Sequence, residues 1–98
     1  MNYGVRWKPE ADEDFDRIAS RHPIAASFIL DQVDKLAEDP VRMGRRPSFP
    51  HQLLPKLQFW APADNVLLHV TVLFRYSQDE RWIEIVAIGV VEYEPEDE

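Results

Sequence analysis

The chain contains no cysteine, which excludes a disulfide framework and a thiolate metal site. No apolar run approaches the roughly 20 residues that span a bilayer, and the N-terminus lacks a signal-peptide pattern. We therefore expect a protein of the cytoplasm rather than a membrane or secreted protein. A chain of 98 residues can bury one modest hydrophobic core, so the length predicts a single domain over residues 1–98.

Positive charge is scarce in the second half of the chain. Residues 1–50 carry eight Lys/Arg and nine Asp/Glu, whereas residues 51–98 carry three Lys/Arg and nine Asp/Glu. This half disfavours nucleic acid as a partner, because affinity for nucleic acid comes from neutralising its phosphates. A basic or mixed protein partner is easier to accommodate, although net charge also keeps small proteins soluble without any partner. The acidic tail at residues 94–98 is expected to be frayed.

The spacing of apolar residues predicts the element order β-α-α-β-β-β. Residues 3–7 alternate as a short first strand does. Residues 9–20 and 23–39 have helical spacing, and each segment opens on a proline that suits a first helical position. Residues 53–60 are predicted to contain a strand, and further strands are predicted over residues 66–76 and 82–88, with a separate short stretch at 90–93.

The three C-terminal strands are expected to form an antiparallel meander, because polar turns at residues 62–65 and 78–81 join them. The two helices form a hairpin with one apolar side, which must cover one face of the sheet. In the strand from Val66 to Tyr76, even-numbered residues are apolar and odd-numbered residues are mixed, so the other face can meet water. The predicted fold class is therefore α+β, and the place of the first strand in the sheet stays open.

Three segments share a pattern with a known family. They are the opening Tyr3-Gly-Val-Arg-Trp-Lys-Pro-Glu-Ala11, the helix end Leu36-Ala-Glu-Asp-Pro40, and Val70–Gly89 with its ending Ile85-Val-Ala-Ile-Gly89. Together they resemble the RelE/ParE superfamily of toxins from type II toxin–antitoxin systems. The resemblance covers nearly the whole chain except residues 45–65.

The resemblance implies a small fold that binds a cognate antitoxin, usually through an extended or helical antitoxin segment. Members of the RelE branch cleave mRNA on the ribosome, and ParE-like members inhibit DNA gyrase. In the nuclease branch, the open face of the sheet supplies several Lys/Arg and often a late Tyr or His. In this chain the strand arginine of the family falls on Thr71, the tyrosine before the turn on Phe74, and the late "H-R" on Val90 and Val91.

Four residues remain as candidates for catalysis: His69, Lys56, Arg75 and Tyr93. Cleavage of RNA by its 2′-hydroxyl requires a base, a group that stabilises charge on the phosphate, and an acid for the leaving oxygen. Histidine titrates near neutrality and suits such proton transfer. The alternative for His69 is a partly exposed strand residue without a task, and Arg75 could instead pair with Glu84 across strands.

Five residues are candidates for partner binding: Arg42, Arg45, Arg46, Phe49 and Trp60. The arginines form the only basic cluster and could meet phosphates or an acidic protein face, or could lie in a solvated loop. The two aromatic residues lie in or beside a proline-rich segment, where a partner could use them, although core or edge packing would also explain them. The three histidines show no metal-ligand spacing, and no cofactor is implied.

The favoured hypothesis is a toxin-like protein that acts by binding, with an antitoxin as main partner and a gyrase-type protein as target. One alternative is a ribosome-dependent mRNA endonuclease whose rearranged site uses the four catalytic candidates. A second alternative is a family member that only dimerises or regulates, so that a homodimer stays open.

Overall fold

The computed structural model describes residues 2–44 and 54–93. These residues form β1 (Gly4–Trp7), α1 (Pro9–Arg21), α2 (Pro23–Glu38), α3 (Pro40–Met43), β2 (Lys56–Ala63), β3 (Val66–Ser77) and β4 (Trp82–Tyr93). The strand order is β1-β4-β3-β2, with β1 parallel to β4 and the other pairs antiparallel. The predicted α+β class and the antiparallel C-terminal meander are confirmed, and the first strand lies at an edge. The predictions for Arg45, Arg46, Phe49 and the acidic tail concern positions outside the described residues.

Proline and charge set the limits of α1. Pro9 begins the helix, where its missing N–H costs no hydrogen bond, and Glu10 and Asp12 in the first turn suit the positive end of the helix dipole. The helix ends at Arg21, and α2 begins two residues later at Pro23, because a residue that precedes proline avoids the helical conformation. No helix within residues 2–44 and 54–93 is long and apolar enough to cross a membrane.

The core lies between the helices and one face of the sheet. Leu68, Val70, Val72 and Phe74 of β3 are fully buried there. The helices contribute Ala11, Ala25, Ile29 and Leu36, which are buried in the same cluster. Full burial of a large apolar side chain stabilises the fold by about 1.5–3 kcal/mol. The predicted cover of one sheet face by the helix hairpin is therefore confirmed.

Two predicted strand ends were wrong. β2, which begins at Lys56, continues through Pro62 to Ala63 instead of ending at Trp60, which an edge strand permits because its outer side needs no donor. β4 is continuous to Tyr93 instead of ending at Ile88. Its register shifts beside Leu73, so that a β-bulge absorbs one extra residue without ending the strand.

The short helix α3 follows α2 directly and was not predicted from the sequence. The side chain of Asp39 accepts a hydrogen bond from the backbone N–H of Arg42 at 3.2 Å. Asp39 therefore caps the first turn of α3, and Pro40 occupies the first helical position. The same proline that ends α2 begins α3, because its fixed backbone angle suits a helix start but not a helix interior.

Candidate functional site

The sheet face opposite the helices carries alternate residues of each strand, and the strand register sets them side by side. Near the N-terminal end of β3, His69 lies between Trp60 of β2 and Val91 of β4. In the next row Leu67 lies opposite Tyr93. We call these five residues the apolar patch. It is built from three adjacent strands, so the sheet itself holds its side chains in place.

The large side chains of the apolar patch are exposed to solvent. Trp60 is 51% exposed, Leu67 51%, Val91 54% and Tyr93 52%. The Trp60 ring lies 4.9 Å from His69 and 5.2 Å from Tyr93, centroid to centroid, and both contacts are edge-to-face. This is a favourable arrangement for aromatic rings, which keeps the indole oriented while half of it meets water. Contiguous exposed apolar side chains of this kind mark interaction sites more often than isolated ones do.

Charged residues occupy the other end of the open face, and they contact one another. Nε and Nη2 of Arg75 both contact Oε1 of Glu84. The Arg6 guanidinium lies 4.3 Å from the centre of the Trp82 ring. The Trp82 indole N–H in turn donates to Glu80 at 3.2 Å. The expected alternative for Arg75, an ion pair across strands with Glu84, is therefore what the structure contains.

The four catalytic candidates are not brought together. His69 and Tyr93 lie in the apolar patch, whereas Lys56 lies opposite Leu73, near the charged end. His69 and Arg75 are six residues apart on one strand, which places their backbones about 20 Å apart. Proton transfer needs groups within hydrogen-bond reach of one reacting atom. These residues therefore form two separate groups rather than one catalytic cluster.

Two of the five partner-binding candidates fall among the described residues. Trp60 lies in the apolar patch, so core packing does not explain it. The exposed Arg42 side chain belongs to α3, where its Nε is 4.0 Å from Oδ2 of Asp39. Sequence reasoning missed Leu67 and Val91 as site residues. The signal was present in part, since Leu67 is an apolar residue on the mixed face of a predicted strand.

A cleft of about 270 Å³ lies between α1 and β4, away from the open face. Oδ2 of Asp14 accepts the backbone N–H of Ile88 at 3.1 Å, and its Oδ1 accepts a hydrogen bond from Arg17 at 3.1 Å. Farther along the cleft, Nε2 of His22 donates to Oε1 of Glu92 at 2.9 Å. Hydrogen bonds to the carboxylates of Asp14 and Glu92 thus connect α1 and the α1–α2 junction to β4.

The pKa of Glu92 lies below its ordinary value, chiefly because the hydrogen bond from His22 favours the charged carboxylate. The positive charge of Arg21, whose Nη2 lies 3.7 Å from Oε1 of Glu92, acts in the same direction. The contact of His22 with Glu92 was not predicted from the sequence. The two residues are 70 positions apart, and local spacing holds no information about that contact.

Within the part of the chain that the structure describes, no group of three or more histidine or carboxylate side chains could hold a metal ion. Comparison with known proteins finds no family model, curated protein or solved structure that matches this chain. The candidate functional site is therefore identified from the structure alone, as the apolar patch on the open face of the sheet.

Proposed function

We propose that this chain is the toxin-like component of a type II toxin–antitoxin module and that it acts by binding other proteins. The observation that supports binding is the apolar patch, where four large side chains stand half exposed on adjacent strands. Covering such a surface is favourable by about 25 cal/mol per Å² of apolar area. An antitoxin is the proposed main partner, and a gyrase-type protein is the proposed target.

Binding explains the open face better than RNA cleavage does. A nuclease would need a free cation where the phosphate sits, but the Arg75 guanidinium already contacts Glu84. His69 contacts aromatic Trp60 instead of a second proton carrier. The valines at positions 90 and 91 can neither transfer a proton nor stabilise a phosphate. The toxin part of the proposal draws on the sequence resemblance, and the α+β fold is compatible with it.

Controlled expression in a bacterial host tests the proposal. We expect expression of the wild-type chain to arrest growth, and co-expression of the protein encoded beside it to restore growth. The double variant Trp60→Ala, Leu67→Ser should lose most of the growth arrest, because it removes the centre of the apolar patch. The matched control is Ile24→Ala, Leu30→Ser, which changes two exposed apolar residues of α2 and should keep the effect.

The endonuclease alternative predicts a different result from the same assay. Under that alternative, Lys56→Ala with Arg75→Ala would abolish growth arrest, and message would be cut in the ribosomal A site. Under the proposed function, this variant stays harmful and message stays intact. Harmless expression of the wild-type chain would overturn the toxin proposal altogether.

A further inference from the structure

We infer that the apolar patch binds a cationic segment of a partner protein, in which apolar or aromatic side chains alternate with lysine or arginine. The inference rests on the proposed function in one respect, since it specifies the chemistry of the partner at that same surface. The inference goes beyond the proposed function by giving the sign of the partner's charge.

The strands that build the apolar patch carry almost no positive charge. No lysine or arginine occurs between residues 57 and 74 or between residues 82 and 98. Residues 82–98 contain six carboxylates: Glu84, Glu92, Glu94, Glu96, Asp97 and Glu98. The first two already contact basic side chains, Glu84 in an ion pair with Arg75 and Glu92 with His22 and Arg21.

The other four carboxylates follow Tyr93 directly in the sequence. All four lie within five positions of Tyr93, which belongs to the apolar patch. A further carboxylate, Asp64, is exposed in the turn between β2 and β3, three residues from Leu67. Negative charge thus flanks the strands of the apolar patch in the sequence, at Asp64 before β3 and in the residues that follow β4.

This distribution of charge discriminates among the kinds of occupant. A second copy of the chain would bring a surface of the same negative charge, and like charges placed against each other across an interface cost several kcal/mol in general. A nucleic acid would bring phosphates to strands that carry no lysine or arginine between residues 57 and 74 or between residues 82 and 93. A cationic protein segment gains both from covering the apolar side chains and from meeting the carboxylates.

The exposed aromatic rings favour the same occupant. A lysine or arginine within about 6 Å of an aromatic ring centre is attracted to the ring face. The chain makes such contacts elsewhere, since Arg6 lies 4.3 Å from the Trp82 ring centre and Arg81 lies 5.4 Å from that of Tyr3. Trp60 and Tyr93 are both half exposed and can offer ring surface to a partner's cation.

A pair of synthetic peptides tests the inference with the full-length, isotope-labelled chain. Both peptides share one leucine and tryptophan pattern, and their polar positions are lysine in one and glutamate in the other. We expect the lysine peptide to shift the NMR signals of Trp60, Leu67, Val91 and Tyr93, and to bind at least tenfold more tightly than the glutamate peptide. Trp60→Ala with Leu67→Ser should weaken this binding at least tenfold, and Ile24→Ala with Leu30→Ser should change it less than twofold.

Neutralising the tail by the changes Glu94→Gln, Glu96→Gln, Asp97→Asn and Glu98→Gln should weaken binding at least threefold at low salt. Equal binding of both peptides, or shifts confined to another surface, would overturn the inference. So would self-association of the wild-type chain that Trp60→Ala abolishes, or shifts of the same signals by a short RNA. The peptide assay involves no cell growth. Harmless expression together with the expected NMR shifts would therefore reject only the toxin role. Growth arrest without those shifts would reject only this inference.

Discussion

The two faces of β3 differ in what covers them, although successive residues alternate between the faces. Val70 and Phe74 face the helices and are fully buried, whereas Leu67 on the other face is 51% exposed. Charge follows the same division, since Arg75 lies on the open face and contacts Glu84 there. The covered face therefore supplies folding free energy, and changes on the open face should alter binding while leaving the fold intact.

The largest expected effect is the loss of Phe74. This ring is the largest fully buried side chain among the described residues, and Phe74→Ala should lower the free energy of unfolding by about 3–5 kcal/mol. The matched change on the open face is Leu67→Ala, which should cost less than about 1 kcal/mol. Urea denaturation followed by circular dichroism measures both values. Similar losses for the two variants would refute the division between the faces.

Replacing either of two glycines by alanine tests the same contrast between the faces, because it adds a methyl group instead of removing side-chain atoms. A Cβ at Gly44 would overlap the Phe74 ring, whereas a Cβ at Gly89 would meet no atom within 4 Å. Overpacking a core costs about 1–3 kcal/mol, so Gly44→Ala should be destabilising by that amount. Gly89→Ala should be neutral or slightly stabilising, because glycine weakens a strand. Thermal unfolding of the pair provides the measurement, and a destabilised Gly89→Ala variant would contradict the open position of that residue.

Asp14 connects α1 to β4 through a hydrogen bond with one backbone N–H. Its carboxylate accepts the N–H of Ile88 at 3.1 Å, so Asp14→Ala leaves that donor without its partner and should cost about 1–2 kcal/mol. Asp14→Asn keeps an acceptor oxygen and should lose less. Hydrogen exchange at the Ile88 amide should accelerate in the alanine variant before other amides of β4 do. Unchanged protection at Ile88 would show that the hydrogen bond does not hold this strand.

A smaller effect is expected where charges pair on the open face. The Arg75 side chain is 52% exposed and that of Glu84 is 15% exposed. Water screens such a pair, so a double-mutant cycle with alanine at both positions should give a coupling of about 0.2–1 kcal/mol. A coupling above about 2 kcal/mol would mean that the charged end contributes to stability as the core does.

The alternation along β3 made much of the fold predictable from sequence. Period-two spacing over residues 66–76 identified the covered and open faces, and prolines at positions 9, 23 and 40 set the helix limits. The continuation of β4 past Gly89 was not predictable, because it depends on the pairing of residues 90–93 with β3 and not on local sequence. The position of β1 beside β4 likewise depends on contacts between distant parts of the chain.

The candidate site was predictable only in part, for the same reason. Residue type and strand parity selected His69, the neighbouring proline-rich segment selected Trp60, and the family resemblance selected Tyr93. Their assembly depends on the register that sets Trp60 opposite His69 and Leu67 opposite Tyr93. The two-residue turn at Asp64 and Asn65 fixes the first of these pairs, but the second also depends on the β-bulge between β3 and β4. The role of Tyr93 in particular changes, because its neighbour is an indole ring and not a proton carrier.

The smallest effect expected is a pH dependence at the junction of the helices with β4. The pKa of Glu92 lies below its ordinary value of 4.5, chiefly through the hydrogen bond from His22. Since the folded state holds the charged carboxylate, this contribution to stability is present above the unfolded pKa and is lost as pH falls through the folded pKa. An NMR titration of the carboxyl group should therefore show Glu92 titrating below 4.5.

His22→Ala should return the Glu92 pKa toward its ordinary value and reduce the loss of stability below pH 4.5. Arg21→Ala should raise that pKa less, because the charge of Arg21 is a weaker cause than the hydrogen bond. If Arg21→Ala proves the stronger change, charge and not hydrogen bonding holds Glu92 in its ionised state. Glu92 lies opposite Leu68 on the covered face, yet its carboxylate is accessible to solvent. We therefore expect only a weak dependence of stability on pH at Glu92, because solvent reaches this edge of the covered face.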